Sequence, residues 1–393
     1  MIPKKVLKAL DLLYRSNCCN GTTERLSAED NPSIDKKTIE ALLENIYNND
    51  SIDKKKLLKE TFSVFNNGVT KGYGKQLSNV VYNSPDFKML TELQYNSGVF
   101  AAFKNHTQIT ELVKLLKDTN GKLRPWKEFK TAALKLDEKY NTKWLKVEYD
   151  QAVTSARAAR RWQDIERTKH LYPNLQYISV QDDRTRALHK KWHGIVLPIG
   201  HAFWNTHYTP NDYGCRCTVR RTDKPVNTKG YAVNDMPNLP PQFNQNVGKT
   251  GKVYNENHPY FKTKNYKQVA SFARQALVSF QRTDIKQFLK QTKATKKQYA
   301  SQIGKVTISN SAVKELLGKY SSQEYMRNNL LYNVKGLFKE ALYIKSAVSS
   351  KVNPMVNKYH YLLVKVADTS FYLNVREMTT GEMILYAITD KIK

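Results

Sequence analysis

The sequence predicts an α+β chain: a helical N-terminal domain, a small α+β core, and a C-terminal module of two helices and an antiparallel sheet. Three observations predict it. Apolar residues recur at helical spacing through the first 165 residues. Between 166 and 225 that period gives way to short alternating runs broken by Asp-Asp, Pro and Gly. Beyond 300, two helical stripes precede three β-rich runs joined by turn sequences.

The elements follow in order. Lys4 to Tyr14 reads as an amphipathic helix, and Asp35 or Thr38 caps another that runs through Tyr47. A third starts near Ser51, with Leu57, Leu58, Phe62 and Phe65 on one face. Helical spacing returns from Asp86 to Phe103 and from Ile109 to Leu116. It continues at Trp126, Phe129, Ala133 and Leu136, and then over Trp144 to Trp162, which ends in the basic run RAARRW. Residues 1–165 are therefore the helical domain, its aromatic residues core. The run at 226–268 is rich in Pro, Gly and Asn and reads as an extended connector. A linking helix at 269–300 carries Val269, Phe272, Ala273, Ala276, Leu277 and Phe280. In the module at 301–393, Val313 to Leu317 opens one helix. Leu330, Leu331, Val334, Leu337, Phe338 and Leu342 form a second. YHYLLVKV, FYLNVR and MILYAIT are then strands of a meander.

The chemistry concentrates between Tyr177 and Arg221. A strand at Tyr177 to Val180 meets Asp182-Asp183, and Arg184 to His193 suits about three helical turns. GIVLPIG is a short strand, Phe203 and Trp204 are buried anchors, and TPNDYG is a turn. In the strand CTVRRT and the residues just before it, alternation puts Cys215 and Cys217 on one face and Arg216 on the other. Three readings compete. Cys215 and Cys217 join His207 and His189, or His193 in its place, in a structural zinc shell of two cysteines and two histidines. Alternatively the knot holds without metal, with Asp182 paired to Arg184 or Arg186. The third reading is a hydrolytic site, but no nucleophile–base pair is evident, and the two helical histidines lack the Glu of HExxH. His258, before Pro259, is either a turn histidine or a further ligand.

Composition sets the partners. Lys plus Arg number 64 against 35 Asp plus Glu, a formal net charge of +29. That charge is spread along the chain, which suits non-specific contact with a polyanion and not base reading. The four cysteines, as the pairs Cys18, Cys19 and Cys215, Cys217, make no disulfide framework and fit a reducing cytoplasm. No run reaches the ~20 apolar residues of a membrane span, so no membrane partner is expected.

The order DxRTRxxHxxxxG, FW, PN and CRCxV resembles the head-morphogenesis domain of tailed-phage minor head proteins, the Mu F-like family. Asp183, Arg184 to Arg186, His189, Gly194, Phe203, Trp204, Pro210, Asn211 and Cys215 to Val219 carry it. Residues 166–225 would then be the head-morphogenesis core. The resemblance implies a minor head protein of a phage or prophage, made in a bacterial cytoplasm and placed in the virion or procapsid. Portal, capsid or scaffold proteins would be its partners, with packaged DNA touched non-specifically. The element order of 301–393 is similar to the barnase, EndoU, colicin and RelE-like nuclease fold. That likeness implies a particle-delivered, metal-independent ribonuclease acting on an RNA substrate. His360 would be its base or acid, Arg376 and Lys345 would hold the phosphate, and Thr389 would place it.

Overall fold

Capping residues mark where the helices begin. The computed structural model describes residues 9–10, 13–14, 32–231, 239–318, 323–348 and 353–392. The chain divides into two units: Met1–Gly74 with Glu92–Arg274, and Lys75–Thr91 with Gln275–Lys393. The predicted α+β class is the one observed. This two-way division differs from the five consecutive segments expected, because the second unit takes up an early stretch of chain.

In the first unit, α1 (Lys36–Asn48) starts where the Asp35 carboxylate accepts from the Lys37 N–H, and it buries Ile39, Leu42, Leu43 and Ile46 on one face. Asp53 caps α2 (Lys54–Tyr73) in the same way, and Gly74 ends it at φ 68°. The expected breaks between 103 and 109 do not occur: α3 is one helix, Pro85–Lys114. Polar residues that interrupt its stripe are buried, with Thr107 donating to the Phe103 carbonyl and Gln108 to Asp137. α4 (Trp126–Glu138) passes through a π-helical turn, Lys139–Trp144, into α5 (Leu145–Thr168). Helices α2 and α5 approach closely at Gly72, where a Cβ would lie 2.1 Å from the Val153 carbonyl oxygen, so only glycine fits. Of the helix expected over 4–14, residues 9–10 and 13–14 are helical, with Leu10 and Tyr14 buried; its other residues, and Cys18 and Cys19, lie outside the described residues.

The small sheet follows. β1 (Asn174–Ile178) lies between β2 (Val196–Pro198) and β3 (Thr218–Thr222), antiparallel to both. Its alternation buries Leu175 and Tyr177. Two short helices, α6 (Ala187–Lys191) and α7 (Phe203–Thr206), sit in the connections. The three turns expected from Arg184 shrink to α6, because Asp182 to Thr185 forms a turn closed by the Thr185 hydroxyl on the Asp182 carboxylate.

The connector at 226–268 is the larger correction. Its described part is packed, with Leu239, Phe243, Val247, Val253, Tyr254, Tyr260 and Phe261 buried, and it contains a helical turn, α8 (Val247–Thr250). Its apolar residues follow no period because each fills its own gap in the core. The Tyr254 ring, for example, stacks on Phe100 at 3.6 Å. The linking helix is α9 (Tyr266–Gln291).

In the second unit, six strands form one sheet in the order β4-β5-β9-β8-β7-β6. They are β4 (Gln298–Ser301), β5 (Gly304–Thr307), β6 (Leu342–Ala347), β7 (Val356–Val366), β8 (Thr369–Met378) and β9 (Met383–Thr389). The pairing of β5 with β9 is parallel and the others are antiparallel. The expected meander is β7-β8-β9. Two strands and a half-read lead-in flank it. After α10 (Asn310–Leu316) and α11 (Glu324–Asn329), the helical stripe expected from Leu330 through Leu342 is cut into a 3-10 turn, Leu330–Asn333, and α12 (Val334–Glu340). Leu342 opens β6 and is exposed. The break follows from buried amides: Gln281 donates to the Asn329 side chain, Asn329 to Thr91, and Asn333 to the Val80 carbonyl. Those last two bonds tie Lys75–Thr91 into this unit. Among the described residues no helix is long and apolar enough to cross a membrane.

Candidate metal centre

Local structure brings three donors together. Helix α6 carries His189, and the extended residues just ahead of β3 carry Cys215 and Cys217. All three side chains are buried. The His189 Nδ1 lies 3.8 Å from the Cys215 Sγ and 3.6 Å from the Cys217 Sγ. Zinc at about 2.3 Å from sulfur and about 2.0–2.1 Å from nitrogen would give tetrahedral edges of about that length. The donor set of two thiols and an imidazole therefore fits zinc in chemistry and in spacing. The Cys215 thiol is held well below its usual range, first by its contact with Cys217 and then by His189. Burial pushes the nearby Tyr177 phenol up, and its hydroxyl accepts from Asn211.

The other two expected ligands stand apart from this trio. The His207 Nδ1 is 2.7 Å from the Thr206 hydroxyl, and its ring stacks on Phe203 at 4.5 Å. The His193 Nδ1 contacts the backbone of Ser179 at 3.1 Å. Three of the expected donors thus converge, and His207 packs against Phe203. The ion pairs also differ from the expected ones. Asp182 takes Arg216, at 2.5 and 2.7 Å, and Arg186 takes Asp212 at 2.9 Å. The Arg216 guanidinium, through one Nη on both carboxylate oxygens, holds the Asp182 carboxyl well below its usual range, with the Thr185 hydroxyl assisting. Alternation explains the partner: with both cysteines turned inward, Arg216 points outward to Asp182.

Sequence reasoning missed a second cluster in this unit. Lys104 of α3 and Glu148 of α5 form an ion pair at 2.8 Å with both side chains fully buried. The Lys104 ammonium also donates to the Tyr140 carbonyl and lies over the rings of Tyr140 and Tyr260. The Tyr14 hydroxyl donates to Glu148 at 2.6 Å, and the Tyr254 hydroxyl donates to the Glu148 carbonyl. His258, buried, lies 3.2 Å from the Tyr14 hydroxyl and 3.1 Å from that of Tyr213. Burial pushes Glu148 up and Lys104 down, and each opposes the shift of the other. His258 is the turn histidine expected before Pro259: its Nδ1 accepts from the Tyr260 N–H at the start of a 3-10 turn, Pro259–Phe261, and the side chain is buried. Burial, with the Lys104 charge, pushes its ring down to about 3.

In the second unit the four residues expected to cut RNA are divided between two faces. His360 pairs across the sheet with Val375, so the neighbouring Arg376, opposite Tyr359, points the other way. Lys345 pairs with Tyr361, and Thr389 with Tyr372, on the Arg376 side. His360 instead meets Glu377 at 2.8 Å. Arg376 stacks on Tyr386 at 3.9 Å and reaches Glu315. Thr389 accepts from Asn374 and donates to the Lys391 carbonyl. The four do not converge on one phosphate.

The motif residues lie within a stretch that a family comparison matches. Residues 102–220 match the family described as Phage Mu protein F like protein. That stretch holds His189, Cys215, Cys217, Lys104 and Glu148. Residues 279–386 match Large polyvalent protein-associated domain 3. Putative capsid assembly protein F of Escherichia phage Mu is 42% identical over 72 residues, 18% of this chain and 16% of that protein. The Mu-like prophage FluMu F protein of Haemophilus influenzae (strain ATCC 51907 / DSM 11121 / KW20 / Rd) is 36% identical over 83 residues, 21% of this chain and 20% of that protein. The chain therefore matches about a fifth or less of the length of these curated relatives. No solved structure matches it.

Proposed function

We propose that the chain is an assembly component of a phage or prophage head, and that its Mu F-like domain docks on capsid, portal or scaffold proteins in the procapsid. The observation that carries this reading is the 42% identity to a putative capsid assembly protein, together with the family match that spans the buried knot. The test is co-expression with the capsid and portal proteins of a Mu-like phage, followed by gradient sedimentation. The chain is expected to travel with procapsid-sized particles. If it stays at the top of the gradient while particles form in equal number without it, the reading fails.

In the same reading, a zinc ion held by His189, Cys215 and Cys217 clamps α6 to the start of β3. The ion would supply a cross-link between two short elements that have little core of their own. Dialysed protein should carry one zinc per chain by metal analysis. Cys217→Ser should lose it, whereas His207→Gln should keep it, because Thr206 and Phe203 already hold that ring. Equal loss in both variants would put His207 back in the shell. Delivery of a ribonuclease by residues 301–393 is the alternative function, and no arrangement of His360, Arg376, Lys345 and Thr389 supports it.

A further inference from the structure

Helix α5 presents Arg157, Arg160, Arg161 and Asp164 at i, i+3, i+4 and i+7, so all four share one face. Arg220 and Arg221 of β3 stand beside them, and with Thr218 and Val219 they line a groove of about 480 Å³. Five guanidinium groups thus meet one carboxylate, and Arg167 already pairs with that carboxylate. Three of the five are braced by the protein. Arg160 donates to the Tyr73 carbonyl, Arg220 to Gln176, and Arg221 to the Asp164 carbonyl and the Thr168 hydroxyl. Arg157 and Arg161 make no side-chain hydrogen bond or ion pair among the described residues. Crowding five like charges raises the energy of the free protein, and a bound anion relieves it.

The lining decides which anion. A protein partner needs an apolar centre to its interface, and the groove's one apolar residue, Val219, is 2% exposed. Single-stranded nucleic acid needs aromatic platforms for its bases, and no aromatic side chain lines the groove. Arginine forks on a helix and an adjoining strand suit phosphate oxygens spaced along a duplex. We infer that this groove binds the backbone phosphates of double-stranded DNA without reading sequence, with Arg157 and Arg161 as the principal contacts. The inference rests on the groove's own chemistry and is tested apart from particle assembly.

The test uses the full chain and a labelled random-sequence duplex, with anisotropy read over a range of salt concentrations. Arg157→Gln/Arg161→Gln should weaken binding about tenfold or more near 0.1 M salt and lower the salt slope by roughly two, at about 0.9 per phosphate contact. Arg157→Gln alone, at an exposed position, should lower the slope by roughly one. The control Lys55→Gln/Lys59→Gln removes two exposed charges from α2 and should shift the curve far less. Equal losses in the control and groove variants would reduce the effect to net charge and overturn the assignment. Tighter binding of a single strand of the same length would overturn the duplex. Unchanged DNA affinity with lost affinity for an acidic polypeptide would overturn phosphate as the ligand.

Discussion

Lys104→Met will destabilise the first unit by about 3–5 kcal/mol, the cost of leaving one member of a buried ion pair uncompensated. Glu148 would remain fully buried, with the Tyr14 hydroxyl as a donor but no cation beside it. The double variant Lys104→Met/Glu148→Leu should recover most of that loss, because removing both charges also removes the desolvation they impose. The measurement is the denaturant midpoint of each variant and of the wild type, with the slopes compared to confirm that the transitions remain alike. A single variant that loses less than about 1 kcal/mol would mean that Glu148 neutralises itself at no cost, and that the pair is not what holds α3 to α5.

Acid will weaken the same unit through His258. Its ring is held down to about 3 when folded and returns to about 6.5 when unfolded. Above pH 6.5 both states are neutral, so the histidine imposes no cost. Between pH 6.5 and 3 the unfolded chain binds a proton that the folded chain refuses. Stability then falls by about 1.4 kcal/mol per pH unit, or about 2.7 kcal/mol by pH 4.5. His258→Gln cannot take up that proton. Its midpoint should therefore decline less steeply than that of the wild type between pH 6.5 and 4.5, and the two curves should converge as the pH falls. Curves that stay parallel across this window would show that His258 titrates while folded.

The parts of this protein that were legible in its sequence are those where local pattern and tertiary role coincide. Cys215 and Cys217 alternate with Arg216, and both inward positions are ligand-capable in space as they are on paper. Helices α1, α2 and α5 follow their apolar stripes. The Mu F-like motif residues, Asp183 to Val219, fall inside the stretch that the family comparison matches, which begins well before them at residue 102. Other features depend on distant partners that no local pattern shows. Lys104 and Glu148 look like ordinary helical surface charges until α3 and α5 come together and bury both. Phe243, Tyr254, Tyr260 and Phe261 lie among prolines and asparagines and have no period to display, yet each is core. Asn328 and Asn329 sit where an amphipathic helix would carry its polar face, but both are buried, and their amides link α9, α11 and Thr91. His360 and Arg376 are both plausible phosphate-handling residues by type. Strand register alone puts them on opposite sides of the sheet.

The sheet of the second unit has a consequence for the order in which it can be made. Strand β9 is the last of the six to leave the ribosome, and it lies between β5 and β8. Until residues 383–389 emerge, the β4-β5 hairpin and the β6-β7-β8 meander are separate pieces, each with an open edge where β9 will pair. The hairpin must wait about 76 residues of synthesis for its partner strand, on the order of 4–15 seconds at the usual elongation rate. The first unit's described residues are all translated before that wait ends. This unit therefore closes only after translation has passed β9, and during that interval an unpaired strand edge would be open to pairing with another copy.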